Sequence, residues 1–368
     1  FFSMKRFFKE TGAVGVSNND AEEKEKESVQ KELKGMKAQM KKDAKLMNEA
    51  EGKDLSSDVK VVGLTSALDT LEGLVSQKQV TDPEKWKFPY TPFEQFKKTP
   101  RDLFVSYLRW SVKDPEPDPN KKEQQKKDKK DRQDQKDEQD DKEPKLAPID
   151  ETKQEYNVDK AFRRLSNYAS WMFEEKELFR EPLTRESVRE TATLGSFIGQ
   201  KTDKLGRVAW YLDLSRADLS KPVDWDQILR WMVWLLHEMA FDEAVQKNGI
   251  VFVEDLAHIG FWNMKKLMNP ELQNRSNGIF QGASAVKIKK MLIFRAPWYI
   301  TALMAFMKIF LSKKLRARIS GPHKTYAKLV KHCGLECIPV GFGDFAVSEG
   351  CSGGDRYFGN RYPDPPEQ

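Results

Sequence analysis

The spacing of apolar positions predicts two amphipathic helices on either side of a long polar stretch. Thr99, Pro100 and Asp102 form a helix start, because the hydroxyl can cap the first turn and proline suits its first position. One apolar face follows, formed by Leu103, Phe104, Tyr107 and Leu108. Beyond the polar stretch Asn157 is suited to cap a second helix, with apolar positions at Val158, Ala161, Phe162, Leu165, Tyr168 and Met172. A shorter helix is predicted upstream from Leu64, Leu68, Leu71 and Leu74.

From residue 205 onward the pattern changes to short continuous apolar runs that alternate with helical spacing. The runs at 206–214, 249–256, 290–294 and 334–340 have the content of buried strands. Residues 225–246 predict one strong helix, and residues 300–311 predict a helix that is apolar on nearly every side. Buried strands alternating with helices are typical of a largely parallel sheet, so the fold class expected is α/β.

The polar stretch is the clearest boundary in the chain. Residues 113–145 contain no apolar side chain, eleven basic and twelve acidic groups, and four prolines, so nothing there offsets the entropy of ordering. We therefore expect a charged, helical or disordered extension over 1–98 and a helical lobe over 99–200 with a disordered insertion at 113–155. An α/β domain over 201–345 and an irregular tail over 346–368 complete the division.

The distribution of charge narrows the choice of partner. The net charge is +6, yet thirteen Lys and Arg and no acid lie between Glu271 and Glu336, so the rest of the chain is net negative. A field of this size implies an anionic partner, either nucleic acid or a lipid head-group surface.

Several classes of protein are excluded by what the sequence lacks. Three cysteines cannot build a disulfide framework, and no second Cys/His pair accompanies Cys333 and Cys337, so no metal site is expected. The longest uncharged part of the most apolar stretch is 296–307, far short of the ~20 residues that span a bilayer. Because the chain starts with Phe1, we expect it to be processed or incomplete.

No catalytic constellation is recognisable, and the expectation is that the protein is not an enzyme and needs no cofactor. Phosphate-binding and nucleophile motifs are missing, and four histidines are scattered. The best catalytic candidate is Glu254 with Asp255 at the end of a strand, for which the alternative is an acid that caps the following loop. His237, on an amphipathic helix, is expected to be a packed core residue.

Five segments, in the right order, resemble the CRAL-TRIO family of lipid-transfer domains. They are LFVSYLRW with YNVDKAFRRLSNYASWM, TDKLGRVAWYLDLSRAD, NGIVFVEDLAHIGFWNM, the long segment 285–319, and HKTYAKLVKHCGLECIPVGFGD. The resemblance covers about 99–112 and 156–345.

The resemblance implies a sheet with flanking helices, a small helical lobe before it, and a gating helix over a hydrophobic pocket that holds a lipid. The gate candidates are Phe306, Met307 and Phe310. The strand residues expected to line the pocket are Trp210, Leu212, Val251, Val253, Leu292 and Phe294. Cofactors are not implied beyond this bound lipid.

Head-group recognition is also expected from the resemblance. A "P-E-R" element of phosphoinositide-binding members falls on Ala285-Val286-Lys287, and a basic position near the end of the gate falls on Arg318. Charge is kept at both positions, but the carboxylate that would accept from inositol hydroxyls is lost. Lys313, Lys314, Arg316 and Arg318 follow the gate and are expected to dock its mouth on an anionic membrane.

The leading hypothesis is a non-enzymatic protein that binds a phospholipid, phosphoinositide or isoprenoid-like lipid and exchanges it at membrane surfaces. It would be cytoplasmic and peripheral to membranes, or organellar if the N-terminus is processed. The alternative is an interaction or structural subunit that kept the fold without lipid transfer, with protein partners bound through the charged extension and insertion. Nucleic acid ranks below both, because the aromatics of the basic window lie in the predicted core.

Overall fold

The computed structural model describes residues 23–33, 35, 59–86, 98–112, 150–192, 196–199, 201–214, 224–257, 259–267, 270–300, 304, 316–339 and 342. The chain divides into two compact units. One comprises Phe1–Asp54 with Trp298–Arg316, and its described part is a helical segment over 23–33 and a few residues after Pro297. The other comprises Leu55–Pro297 with Ala317–Gln368 and holds all the elements labelled below.

The helical lobe of the larger unit begins with strand β1 (Lys60–Val62) and helices α1 (Leu64–Thr81) and α2 (Pro83–Trp86). Helix α3 (Pro100–Ser111) follows, then strand β2 (Glu155–Asn157), helix α4 (Val158–Glu174), a 3-10 turn (Lys176–Phe179) and α5 (Arg185–Ala192). β1 and β2 pair antiparallel. Buried side chains of α1, α3 and α4 share one apolar core, so the predicted amphipathic helix near residue 64 belongs to the lobe.

The predicted helix starts are present in the lobe. The Thr99 hydroxyl accepts from the Asp102 amide and the Asp102 carboxylate accepts from the Thr99 amide, which satisfies two amides of the first turn. Asn157 Oδ1 accepts from the Lys160 amide at 2.7 Å. Residues 113–149 lie outside the described residues, whereas Asp150–Gln154 form a turn that leads into β2, inside the range 113–155 assigned to the insertion.

The sheet of the larger unit has five strands in the order β3-β4-β5-β6-β7. These are Ser196–Ile198, Val208–Asp213, Ile250–Asp255, Ile288–Phe294 and Ile319–His323. β3 pairs antiparallel with β4, and the other four strands are parallel, which confirms the α/β class.

Helices connect the parallel strands, as crossovers of this kind require. α6 (Trp225–Phe241) and α7 (Glu243–Asn248) lie between β4 and β5. α8 (Phe261–Leu267), α9 (Pro270–Asn277) and a π-helix (Gly278–Ala283) lie between β5 and β6. α10 (Ala327–Cys333) and a 3-10 turn (Leu335–Cys337) follow β7.

Two predictions about elements need correction, and one strand was not predicted. The helix expected over 225–246 is two helices, because Asp242 leaves helical geometry and its carboxylate caps the amides of Ala244 and Val245. The strand expected at 334–340 is wrong, since Leu335–Cys337 is a 3-10 turn after Gly334, whose φ is +85°. The fourth parallel strand is instead β7, whose Gly321-Pro322 content conceals it in the sequence. The helix expected over 300–311 lies almost wholly outside the described residues.

Side chains of the lobe are bonded to the π-helix and its flanks. Tyr107 Oη donates to the Ala283 carbonyl at 2.7 Å, Asn167 Nδ2 donates to the Gly282 carbonyl at 3.2 Å, and Trp171 Nε1 donates to the Arg275 carbonyl at 3.0 Å. Arg164 donates to the carbonyls of residues 280 and 284. A π-helix leaves backbone carbonyls that need partners, and α3 and α4 supply them.

Candidate functional site

The two faces of the parallel sheet differ in how completely they are covered. Strand side chains alternate between faces, and the pairing register places Trp210, Phe252, Met291 and Ile319 on one rung. We call the side that carries this rung face 1 and the opposite side face 2. The rung above it on face 1 is Leu212, Glu254 and Ile293, and the rung below it is Val208, Ile250 and Ile288.

The apolar positions of face 2 are fully buried. They pack with α10, the 3-10 turn after it and Phe342, and each has no exposed surface: Ala209, Tyr211, Val251, Val253, Leu292 and Phe294. Cys333 and Cys337 belong to this cluster, and burial raises the pKa of their thiols to about 12 and about 11. Protein side chains therefore cover the apolar part of face 2, while Ser320 and His323 of β7 are partly buried on the same face.

The six strand residues expected to line one pocket do not share a face. Val251, Val253, Leu292 and Phe294 lie on face 2, whereas Trp210 and Leu212 lie on face 1. The apolar runs are continuous, so the sequence does not distinguish the two faces of each strand. Phe252, Met291 and Ile319 are the face 1 residues that sequence reasoning missed, and alternation from Trp210 along paired strands is the signal that identifies them.

Face 1 is more completely covered at its lower rung than above it. Val208 and Ile250 are fully buried among the helices of the lobe and of the β4–β5 crossover, and Ile288 is partly buried. The two rungs above hold five partly buried side chains, namely Leu212, Phe252, Glu254, Met291 and Ile319. This partly covered, mainly apolar surface is the candidate site.

An aromatic cluster supports the middle rung. The Trp210 ring packs edge-on against Phe252, with centroids 4.7 Å apart, and stacks on Phe280 of the π-helix at 5.7 Å. Trp231 of α6 packs edge-on against it at 5.9 Å. Trp210 Nε1 donates to Ser196 Oγ at 3.0 Å, so its one polar atom is satisfied. Trp210 itself is buried, and it holds the partly exposed Phe252 in place.

Glu254 is the acidic group of face 1. Its neighbours across the sheet are the apolar Leu212 and Ile293, and its carboxyl makes no hydrogen bond within the part of the chain that the structure describes. Burial raises the pKa of the Glu254 carboxyl to about 7. A carboxyl in this setting is protonated over part of the physiological range and can then donate a hydrogen bond.

Asp255 points to face 2, so the predicted catalytic pair is split by the sheet. Its carboxylate accepts from the Ala257 amide at 3.0 Å and from Arg295 Nε and Nη2 at 3.1 and 2.5 Å. Tyr326 Oη also donates to it. These contacts fasten the ends of β5 and β6 to the start of α10, which is a structural role.

The predicted head-group residues Lys287 and Arg318 both bind backbone. Lys287 Nζ donates to the carbonyls of Arg109 and Val112 at 3.2 and 2.9 Å, at the C-terminal end of α3. Arg318 Nη1 donates to the Ile288 carbonyl at 2.5 Å. Arg316 is exposed, whereas Phe306, Met307, Phe310, Lys313 and Lys314 lie outside the described residues.

The described residues lack two further features. They contain no group of His, Cys, Asp and Glu arranged to hold a metal, and no helix among them is long and apolar enough to cross a membrane. His237 is buried, its Nε2 lies 2.7 Å from Tyr168 Oη, and burial lowers the pKa of its imidazole to about 4.

Part of this chain is similar to a known family of protein domains. The profile of the CRAL/TRIO domain matches residues 193–343, from just before β3 to just after Phe342. Clavesin-1 of Xenopus laevis is 26% identical over 192 residues, which are 52% of this chain and 57% of that protein. Tyrosine-protein phosphatase non-receptor type 9 of Mus musculus is 25% identical over 140 residues, 38% of this chain and 23% of that protein.

Among solved structures, the crystal structure of Sfh5 aligns with 44% of this chain and 60% of its own chain, at 15% identity and a TM-score of 0.34. The matched regions thus span between about a quarter and three-fifths of these relatives. The profile match encloses every strand of the large sheet and both of its faces. Residues 193–343 of this chain are therefore similar to the CRAL/TRIO domain.

Proposed function

We propose that this protein binds one lipid against face 1 and exchanges it at a membrane surface. The observation that carries the proposal is the difference between the two faces of one sheet. The apolar positions of face 2 have no exposed surface, while the upper rungs of face 1 keep partly exposed apolar side chains. An apolar ligand laid on these rungs would remove that surface from water, at about 25 cal/mol for each Å² buried.

The ligand we infer is mainly apolar and carries a hydrogen-bonding group. Leu212, Phe252 and Met291 offer it an apolar floor, while the Glu254 carboxyl meets its polar end. A protonated carboxyl can donate to a hydroxyl, carbonyl or ester oxygen without placing a bare charge in an apolar site. This supports an isoprenoid-like or neutral lipid over a phosphoinositide, because Lys287 and Arg318 already bind backbone carbonyls.

Loading and release require a movable cover, which we assign to the segment between β6 and β7. Phe306, Met307 and Phe310 would face the ligand. Lys313, Lys314 and Arg316 would contact anionic lipid. Arg318 would contribute less to this contact, because it already binds the Ile288 carbonyl. Each basic group near such a surface contributes about 1 kcal/mol, which suits reversible docking. We place the exchange at the cytoplasmic side of a membrane, with the charged segments 1–98 and 113–149 as contacts for protein partners.

The proposal is tested by extracting the purified full-length chain and identifying co-purified lipid by mass spectrometry. Uptake of fluorescent lipid from vesicles is then compared for the wild type, Met291→Trp and Met291→Leu. The larger indole would fill face 1 and reduce uptake at least tenfold, whereas leucine conserves volume and should keep it. A chain with no bound lipid and no uptake would overturn the proposal.

A second candidate is an interaction module with the same domain and no lipid transfer. The bonds of Lys287 and Arg318 to backbone carbonyls favour it. The residues expected to bind a head group would then stabilise the fold instead. The same experiment separates the two, since this alternative expects no bound lipid and equal behaviour of both Met291 variants.

A further inference from the structure

We propose that helix α8 is a second membrane contact, which inserts Trp262 into the interface of an anionic bilayer. This rests on the proposed function only for its place in lipid exchange, and the surface itself can be tested separately. The geometry of α8 (Phe261–Leu267) supports the contact through one anchored and one exposed aromatic ring.

Phe261 of α8 is buried, and the next residue, Trp262, is exposed. Phe261 is 5% exposed and fixes the helix to the domain, while Trp262 is 46% exposed. Their ring centroids lie 5.2 Å apart in an edge-to-face arrangement, so the exposed indole is held in position. Lys265 Nζ lies 5.5 Å from the Trp262 ring centroid, and both Lys265 and Lys266 are exposed. An indole beside two ammonium groups is the combination that the interface of an anionic bilayer favours.

The charge around α8 matches an anionic partner. No acid occurs from Leu256 to Pro270. A comparable exposed ring with a nearby lysine lies at the end of α4, in a stretch of sequence that contains acids. Phe173 is 39% exposed, and Lys176 Nζ lies 5.1 Å from its ring centroid. Acids at 174, 175 and 177 surround that second pair in the sequence. Two of these acids are paired with arginines, Glu175 with Arg275 and Glu177 with Arg180. An anionic surface would therefore attract α8 more strongly than the surface around Phe173.

The position of α8 suits lipid exchange. It follows β5, and the parallel strand β6 ends at Phe294. The carboxyl ends of parallel strands share one edge of a sheet, so α8 follows the edge at which β6 also ends. Glu254 lies at the same end of β5.

A bilayer fits this surface better than a protein partner does. One indole and two lysines on a seven-residue helix offer much less than the roughly 800 Å² that a stable protein interface buries on each side. Shallow insertion of one aromatic ring with nearby cations needs no larger area.

The test is co-sedimentation of the full-length chain with phosphatidylcholine vesicles, with and without 30% phosphatidylserine. Trp262→Ala should weaken binding to the anionic vesicles about tenfold, and Lys265→Gln with Lys266→Gln should weaken it by roughly 25-fold at low salt. The matched controls Phe173→Ala and Lys176→Gln should bind like the wild type. Thermal melts of all variants verify that they are folded.

Each outcome is decisive. Unchanged binding of the α8 variants, an equal loss in the Phe173 and Lys176 controls, or capture of a protein partner without vesicle binding would overturn the inference. If the chain carries bound lipid but does not bind anionic vesicles, the inference about α8 is overturned and the proposed function stands. Vesicle binding through α8 in a chain without bound lipid would support the surface and count against lipid exchange.

Discussion

The guanidinium of Arg295 binds the buried carboxylate of Asp255 through two nitrogen–oxygen contacts, at 3.1 and 2.5 Å. Asp255 has no exposed surface, and Arg295 has a φ of +47°, which side-chain-bearing residues rarely adopt. The pair thus closes the carboxyl ends of two parallel strands and fixes the direction in which the chain leaves β6.

Arg295→Met should destabilise the larger unit by about 3 kcal/mol, because it leaves a buried carboxylate without its cation. Urea denaturation measures the change. Lys247→Met is the control, since it removes the exposed partner of Glu243 and should cost less than about 0.5 kcal/mol. Equal costs for the two variants would contradict the structural role of the Asp255–Arg295 pair.

Glu254 should make folding stability fall as pH rises. Its ordinary pKa of 4.5 is raised to about 7 in the folded state, so the folded chain holds a proton that the unfolded chain has lost between these values. Across that window its contribution declines by up to about 3 kcal/mol. Glu254→Gln should remove this slope, as read from urea midpoints at several pH values, and an unchanged slope would refute the assignment.

His237 should make folding stability rise as pH rises, which is opposite to the effect of Glu254. Burial lowers its pKa from 6.5 to about 4, so the unfolded chain binds the additional proton as pH falls through this range. The contribution is fully present above pH 6.5 and is lost toward pH 4. We expect His237→Leu to flatten the acid limb of the stability profile although it also removes the contact with Tyr168 Oη. A profile with its acid limb intact would argue against a neutral buried imidazole.

Lys287→Met should lower the stability of the lobe by roughly 1–2 kcal/mol, because two carbonyls at the end of α3 lose a charged donor. Thermal melting of the full-length chain measures this cost. Normal melting combined with weaker binding of anionic lipid would instead assign Lys287 to a head group.

The fold was predictable where local chemistry determines it. The Thr99 and Asn157 caps, the helical faces and the continuous strands at β4, β5 and β6 are read directly from residue types. Strand β7 was missed because glycine and proline occupy its centre, and its pairing with β6 is a long-range contact. The split at Asp242 depends on one carboxylate that prefers to cap amides, which helical periodicity does not register.

The candidate site was predictable as a sheet surface but not as a set of residues. A run such as IVFVED is apolar at both parities, and only pairing with β4 and β6 places Phe252 and Glu254 opposite Val251 and Val253. The roles of Lys287 and Arg318 depend on carbonyls that are distant in the sequence or belong to another element, which charge alone does not indicate.

The bonds from α3 and α4 to the π-helix have a consequence for where this protein can be cut. The matched domain starts at residue 193, yet Tyr107, Arg164 and Trp171 donate to carbonyls between residues 275 and 284 from outside it. A fragment that begins at residue 193 would leave those carbonyls without their side-chain donors. It would also expose the apolar surface around Phe280 that packs against the lobe. We therefore expect the smallest independently folding piece to start near residue 59, and truncation to residues 193–343 to yield aggregated rather than monomeric protein.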